Sequence, residues 1–180
     1  ADKGYGIRDY RTIKAKELWK LINICATYSA EPGIFFIDNA NKDTNAKAYG
    51  QKVVATNPCG EQPLLPYESC NLGSINLTKM LTTEDDKVVF DWNKLNTTVK
   101  NAVHFLDNVI DANKYPLEKI DFVTKQTRKI GLGVMGWADT LLMMGIPYNS
   151  NEAIALGEKL MKYITNCGRL ESQELEKIRG

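Results

Sequence analysis

The chain has 180 residues, of which 43% are hydrophobic and 25% are charged, and its formal net charge is +1. This is enough for one globular domain with its own core. Acids and bases are mixed along the chain, so no basic patch indicates nucleic acid binding, and no apolar run approaches the ~20 residues that span a bilayer.

The cysteines argue against two further classes of protein. Four of them are present, at positions 25, 59, 70 and 167, together with a single histidine, and no pair has C-x-x-C spacing. A zinc site or a secreted disulfide framework is therefore not expected. We expect a cytoplasmic protein with reduced thiols that binds neither nucleic acid nor membrane.

The first part of the chain begins with a helical pattern. Residues 12–30 place apolar side chains on one stripe of an amphipathic helix, which the Glu-Pro-Gly sequence at 31–33 ends. Residues 34–37 are predicted to form a short buried strand, and the polar residues 38–50 a surface connection. Residues 52–56 then lead into a loop.

That loop reads Asn57-Pro58-Cys59-Gly60-Glu61. An amide, a thiol and a carboxylate alternate along it, so in an extended backbone the three side chains would leave the same face. Proline fixes φ and removes a donor, whereas glycine lets the chain turn. The pattern predicts a presentation loop with the thiol at its centre, between a hydrogen-bonding amide and a candidate general base.

The rest of the chain alternates short strands with helices, which predicts an α/β fold. Cys70, eleven residues after Cys59, opens an apolar run that predicts a strand over 70–77. Further on, the pattern predicts a polar turn at 82–87 and an edge strand at 88–90. Helices are predicted at 91–113 and 117–128. A turn at 131–136 is followed by a helix to about Met144 and by a last helix from Ser150 to Ile178.

Residues 57–77 resemble the finger-loop region of the ribonucleotide reductase large (catalytic) chain, most of all in its adenosylcobalamin-dependent class. Blocks at 31–38, 105–111 and 131–139 resemble the same family in the same order, so the resemblance runs from about residue 12 to the end. It implies that residues 1–180 are a single domain, part of a ten-stranded α/β barrel whose central finger loop, about 57–66, carries the radical cysteine. It also implies an internal segment or split subunit, because such catalytic chains are several times longer.

The resemblance implies roles for five residues. Cys59 would become a thiyl radical and remove the 3′ hydrogen of a ribonucleotide, and Glu61 would accept the 3′-hydroxyl proton as general base. Asn57 would hold the ribose hydroxyls and the Glu61 side chain. Cys70 would be one of two cysteines that deliver the reducing electrons and close into a disulfide, and Ser69 would be a further substrate contact.

The same resemblance implies a cofactor and partners. Adenosylcobalamin would be bound mainly by parts outside this chain, and a thiol reductant such as thioredoxin or glutaredoxin would restore the thiols. The partners would be the ribonucleotide, complementing chain segments, and a second copy in a dimer of the assembled enzyme. Alone the chain is expected to be inactive, because an open part-barrel exposes strand edges and apolar surface. Cys25 and Cys167 are expected to be small buried hydrophobes and are not assigned as the partner of Cys70.

Several alternatives stay open. Within the family, the chain could be a class I large subunit that receives its radical from a separate metal-bearing small subunit, or a non-catalytic scaffold fragment of the barrel. A cysteine hydrolase would need His104 beside Cys59. The G-x-G-x-x-G string at 131–136 is not favoured as a dinucleotide site because the polar, basic residues 125–129 before it do not make a buried strand. The substrate is left open between a diphosphate and a triphosphate.

Overall fold

Residues 11–179 are described by the structure, which is a computed structural model. The chain divides into two units, the first ending at Pro66 and the second beginning at Tyr67. Each unit combines helices with short strands, which confirms the α/β class. Residues 1–10 and 180 of the expected 1–180 domain lie outside the described residues.

The first unit is built from short elements around a small core. Asn41 holds the chain that leads to the hairpin: its Nδ2 donates to the Val53 oxygen at 2.9 Å and its Oδ1 accepts from the Val53 nitrogen at 2.8 Å. Val53 packs with Ala46 and Leu65. The elements are α1 (Ala15–Ser29), α2 (Ile37–Asp43), a 3-10 turn (Asn45–Tyr49), β1 (Ala55–Thr56) and β2 (Pro63–Leu64).

The buried strand predicted at 34–37 is wrong. Ile34, Phe35 and Phe36 are exposed and not in a strand, and Ile37 begins α2. An apolar run becomes a strand only where a neighbouring strand takes up its backbone hydrogen bonds, and no strand pairs with these residues within 11–66. The connection predicted at 38–50 lies mostly at the surface, as expected, but α2 and the 3-10 turn make most of it helical.

The second unit is organised by a parallel pair of strands. β3 (Asn71–Asn76) pairs with β6 (Ile130–Met135), with Asn71 opposite Ile130. The helix α3 (Trp92–Ala112) contacts both strands and packs along α6. The other elements are β4 (Leu81–Glu84), β5 (Lys87–Phe90), α4 (Glu118–Thr127), α5 (Trp137–Met144) and α6 (Asn151–Arg179).

The main core of this unit lies between the strand pair, α3 and α6. Apolar side chains along one face of α3 form the centre of this core. Among them, Leu95 and Val99 have no exposed surface. Burial of a leucine or valine side chain of this kind contributes roughly 1.5–3 kcal/mol. The buried members of the cluster are Ile75, Leu77, Met80, Phe90, Leu95, Val99, Val103, Leu160, Ile164, Cys167 and Leu175.

Most of the predicted helices are confirmed, and their ends have a local cause. Asp91 caps α3 by accepting from the Lys94 nitrogen at 2.9 Å, and Ser150 caps α6 by accepting from the Ala153 nitrogen at 3.1 Å. Cys167 is buried as expected, whereas Cys25 is only half-buried because α1 buries none of its residues. No helix within residues 11–179 is long and apolar enough to cross a membrane.

The polar turn predicted at 82–87 is narrower than expected. β4 and β5 form a hairpin in which Glu84 is opposite Lys87, so only Asp85 and Asp86 make the turn. Both have a left-handed backbone, with φ of 47° and 60°. Two such residues in succession form the type I′ turn that matches the twist of a two-residue hairpin, and aspartate tolerates this conformation.

The turn predicted at 131–136 is also wrong. Gly131 and Gly133 lie inside β6, and only Gly136 turns, with φ of 75°, at the start of α5. Glycines inside the strand do not make the strand-to-helix phosphate loop of a dinucleotide site. The sequence signal failed because glycine marks both turns and close packing in strands.

Position 136 requires a glycine for two reasons, which are its backbone conformation and the closeness of neighbouring side chains. A Cβ built there would lie 2.9 Å from Asn76 Oδ1, whereas at Gly145, with φ of 72°, a Cβ would have nothing within 4 Å. Gly145→Ala should therefore cost only left-handed strain, about 1–2 kcal/mol. Gly136→Ala should cost a further ~1–3 kcal/mol of overpacking. Chemical denaturation of the two variants measures the difference, and equal losses would contradict the close contact at Gly136.

Candidate active site

The Asn-Pro-Cys-Gly-Glu motif closes the β1–β2 hairpin of the first unit. The strands pair Ala55 with Leu64 and Thr56 with Pro63. The Asn57 nitrogen donates to the Gln62 oxygen at 3.2 Å, which extends the pairing by one more position. Residues 58–61 are therefore a short loop at the end of a paired hairpin.

The backbone of this loop is a β-turn, which agrees with the predicted presentation loop but not with an extended backbone. The Gly60 nitrogen donates to the Asn57 oxygen at 3.0 Å, and Gly60 has φ of 81°. Pro58 occupies the second position of the turn, which its fixed φ suits. Cys59 is the third residue and is exposed. The motif does present its thiol at the centre of the loop, but by turning the chain and not by alternation of side chains.

Asn57 stabilises the loop with its side chain. Its Oδ1 accepts from the Gln62 nitrogen at 2.9 Å, and the side-chain amide has two further donors on Nδ2. Asn57 is half-buried, whereas Cys59 and Glu61 are exposed. The loop thus carries an amide, a thiol and a carboxylate within five residues.

Ser69 and Cys70 belong to the second unit, just ahead of β3. Cys70 is half-buried and its thiol donates to the Asn71 oxygen at 3.5 Å. The Ser69 hydroxyl lies 2.9 Å from Thr124 Oγ1, a hydroxyl of α4 that is fully buried. A substrate contact by Ser69 stays a prediction, since this hydroxyl already bonds within the fold.

Cys167 and His104 have structural surroundings within the second unit. The Cys167 thiol, in the core between α3 and α6, accepts from Asn96 Nδ2 at 3.2 Å. His104 is exposed on α3, with its Nε2 3.3 Å from Arg179 Nη2. No disulfide joins any of the four cysteines, all of which lie within residues 11–179. Among residues 11–179, no three His, Cys, Asp or Glu side chains converge as metal ligands.

A charged cluster that the sequence did not reveal ties α3 to the end of α4. Arg128 follows α4 with a left-handed backbone, and its Nε donates to Asp107 Oδ1 at 2.7 Å. Its Nη1 and Nη2 donate to the two carboxylate oxygens of Asp111, each at 2.9 Å. Arg179 also bonds Asp107. The sequence does place Asp107 and Asp111 four residues apart, on one face of the predicted helix. This spacing is the signal from which an acidic site on α3 could have been predicted.

This cluster shifts two protonation equilibria. The hydrogen bond from Arg128 lowers the pKa of Asp111, and the charges of Arg128, Arg179 and Lys125 act in the same direction against the opposing effect of burial. Hydrogen bonds to Asp111 and Asp107 in turn raise the pKa of Arg128. The paired, charged forms are therefore the stable ones at neutral pH.

A second ion pair anchors the segment before Cys70. Lys129 Nζ lies 2.6 Å from Glu68 Oε2, and the Glu68 side chain has no exposed surface. A buried carboxylate of this kind needs a cationic partner, because its desolvation is otherwise uncompensated. Arg128 and Lys129 are thus adjacent in sequence but bind different parts of the unit. Arg128 binds α3, and Lys129 binds the segment before Cys70.

This fold is shared with part of a larger solved protein. The structure is similar to the solved α subunit of the Actinobacillus ureae class Id ribonucleotide reductase, with a TM-score of 0.76 and 27% identity over 92% of this chain and 32% of that one. The family model described as ribonucleotide reductase, barrel domain, matches residues 2–180. The chain therefore belongs to the ribonucleotide reductase barrel-domain family, as its motifs indicated.

Curated relatives agree with this assignment. The chain is 52% identical over 170 residues to the vitamin B12-dependent ribonucleoside-diphosphate reductase of Thermoplasma acidophilum. It is 46% identical over 166 residues to the enzyme of the same description from Mycobacterium tuberculosis (strain H37Rv). These matches cover 94% and 92% of this chain but 22% and 23% of the relatives, so the chain spans under a quarter of their length.

The Asn57 bond gives a local prediction. Asn57→Ala should leave the Gln62 amide without its side-chain acceptor. The free energy needed to open the loop should therefore fall by about 1 kcal/mol. Hydrogen–deuterium exchange at Gln62 should become about fivefold faster, since 1.4 kcal/mol corresponds to a factor of ten. Asn57→Asp keeps an oxygen acceptor and serves as the control. Unchanged exchange in Asn57→Ala would show that this bond does not hold the loop.

The lowered pKa of Asp111 predicts a pH dependence. A carboxyl whose pKa is depressed by folding stabilises the fold above its unfolded pKa, and the contribution disappears as pH falls through the folded pKa. Asp111→Asn should therefore reduce the free energy of unfolding at pH 7, by only about 0.5 kcal/mol since the side chain is 52% exposed. The difference from wild type should close below the usual pKa of 3.8. Urea unfolding across pH measures it; a constant difference would contradict the ion pair.

Proposed function

We propose that this chain is a segment of the catalytic chain of a ribonucleotide reductase, in which the hairpin loop presents Cys59 to a ribonucleotide. The observation that carries the proposal is the exposed Cys59 thiol at the turn of a paired hairpin, in a chain that belongs to this family. Asn57 and Glu61 flank the thiol on the same short loop.

The first chemical step uses these three residues. As a thiyl radical, Cys59 takes the 3′ hydrogen atom of the ribose, which leaves a carbon radical at C3′ and re-forms the thiol. Glu61 accepts the 3′-hydroxyl proton as general base, which requires its carboxylate within hydrogen-bond reach of that hydroxyl. Asn57 orients the ribose hydroxyls through Nδ2, because its Oδ1 already bonds the loop.

The second step removes the 2′-hydroxyl as water and reduces C2′. Cys70 and a partner cysteine supply two electrons and two protons and close into a disulfide, and Cys59 returns its hydrogen atom to C3′. The net change is a ribonucleotide and two thiols to a deoxyribonucleotide, water and a disulfide. A dithiol reductant such as thioredoxin or glutaredoxin then restores the two thiols by exchange. The names of the relatives favour a ribonucleoside diphosphate as substrate.

We further propose that residues 1–180 belong to one ten-stranded barrel domain that other chain segments complete. The parallel β3–β6 pair supports this, because parallel strands occur almost only in larger sheets covered on both faces. Leu72 on β3 and Met135 on β6 are exposed apolar residues that a completed barrel would cover. A dimer of the assembled enzyme and inactivity of the chain alone belong to the same proposal.

The described residues do not by themselves form a site for adenosylcobalamin. Cys59 is exposed on its loop. A groove of 470 Å³ between β6, α5 and α6 suits at most a drug-sized ligand, and a corrinoid is several times larger. We propose that parts outside this chain hold adenosylcobalamin.

The cobalamin class is favoured over a class I large subunit by similarity. The relatives named as vitamin B12-dependent are 52% and 46% identical to this chain. The reductase large subunit of Danio rerio, whose name mentions no B12, is 33% identical over 174 residues. The likeness to a class Id α subunit is one of fold at 27% identity.

The proposal is tested in a chimaera in which residues 11–179 replace the matching segment of the Thermoplasma acidophilum reductase. The chimaera should form deoxynucleotide only with adenosylcobalamin present. Cys59→Ser should abolish turnover, at least 10³-fold, while nucleotide binding is kept, because an alcohol O–H is too strong to replace the thiol in hydrogen transfer. Cys25→Ser, in the same unit, is the matched control and should stay active. Turnover by Cys59→Ser would exclude the radical role.

A further inference from the structure

The residues around Cys70 are held by three different elements of the second unit. Glu68 is paired with Lys129, the residue before β6, at 2.6 Å. Ser69 bonds Thr124 on α4, at 2.9 Å. On the other side of the cysteine, Asn71 Nδ2 donates to the Leu106 oxygen of α3 at 3.2 Å. Cys70 thus lies between neighbours whose side chains are each fixed to a separate part of the fold.

Each contact before Cys70 is partly buried and has one partner that is almost fully removed from solvent, which gives the contact energetic weight. The Glu68 side chain has no exposed surface, and Thr124 is 1% exposed. Loss of one partner of a buried ion pair or hydrogen bond leaves the other uncompensated in the interior. Contacts of this kind hold a backbone in place far better than an exposed pair of the same length.

The chain enters this segment in a strained conformation. Tyr67 has φ of 61°, which is uncommon for a residue with a bulky side chain. Lys119 of α4 places its Nζ over the Tyr67 ring, 5.2 Å from the ring centroid, a cation–π contact. A conformation of this type persists only where its surroundings determine it. Here, the contacts of residues 67–69 with α4 and Lys129 hold the strained conformation in place.

We propose that Thr124 and Lys129 are positioning residues for Cys70, whose backbone they fix so that its thiol can close repeatedly with a partner cysteine. The inference rests on the proposed redox role of Cys70. A disulfide forms only when the two Cα atoms are about 4.4–6.8 Å apart with suitable Cβ directions. A cysteine that must be oxidised and reduced in each turnover therefore needs a fixed backbone, while its half-buried side chain stays accessible.

The chemistry of the positioned step is balanced without any further component. The thiols of Cys70 and its partner lose two electrons and two protons to the nucleotide and form one S–S bond. The dithiol reductant named above reverses this by exchange. Thr124 and Lys129 touch no reacting atom in this scheme and act only through Ser69 and Glu68.

The chain offers matched variants for the test. Thr124→Val removes the hydroxyl at nearly constant shape, and Thr124→Ser keeps it. Lys129→Met removes the charge, and Lys129→Arg keeps it. Thr140→Val is the control, because Thr140 is also a fully buried threonine of this unit but its Oγ1 has no hydrogen-bond partner within the described residues.

The measurement is the alkylation rate of each cysteine in the full 180-residue chain, read peptide by peptide by mass spectrometry. In Thr124→Val and in Lys129→Met, the rate at Cys70 should change by about fivefold or more, as expected for loss of one buried hydrogen bond, while Cys59 stays unchanged. Thr124→Ser, Lys129→Arg and Thr140→Val should match wild type. Unchanged Cys70 rates, or equal changes at Cys59 and Cys70, would overturn the proposal.

A separate readout distinguishes failure of the positioning from failure of the redox role. In the chimaeric reductase, Thr124→Val should lower kcat for repeated turnovers by about fivefold, in line with the alkylation result, and leave KM unchanged, with recovery in Thr124→Ser. If Cys70→Ser keeps full turnover, the redox role of Cys70 is wrong, whatever the alkylation rates show. If Cys70→Ser is inactive but Thr124→Val is not slowed, the positioning is wrong and the redox role stands.

Discussion

The parallel register of β3 and β6 is the constraint on which the second unit depends. Because Asn71 pairs with Ile130, Cys70 and Lys129 immediately precede the first paired residues of their strands. This places the Lys129 ammonium beside the Glu68 carboxylate and the end of α4 beside Ser69. A slip of one residue would turn every β3 side chain to the opposite face and would separate these partners.

The two candidate thiols are held by different physical means. Cys59 depends on local chain geometry: a paired hairpin, a proline and a left-handed glycine make a turn whose centre is exposed. Cys70 depends on contacts between its neighbours and distant residues, all of them partly buried and one of them an ion pair. These means suit the proposed roles, since a radical thiol must be offered to a substrate, whereas a redox thiol must meet one fixed partner repeatedly.

The parts of the structure that sequence could predict are those with local causes. The α3 helix has a complete apolar stripe and an aspartate cap, and its position was predicted to within a residue. The strand expected at 34–37 and the turn expected at 131–136 failed, because strand formation depends on a partner that the segment itself does not specify. The motif at 57–61 predicted a loop, and a loop is observed, but its turn geometry was not specified by the alternation of side chains. Thr124 and Lys129 were missed because 55 and 61 residues separate them from Ser69 and Glu68.

Hydrogen transfer from the ribose to Cys59 is the central claim, and it is tested most directly with 3′-deuterated ribonucleotide. In the assembled chimaeric reductase, single-turnover formation of deoxynucleotide should be slower with the deuterated substrate than with the protiated one. Deuterium should be retained at C3′ of the product, because the same thiol returns it. Equal rates with the two substrates, together with normal product formation in Cys59→Ser, would contradict the account.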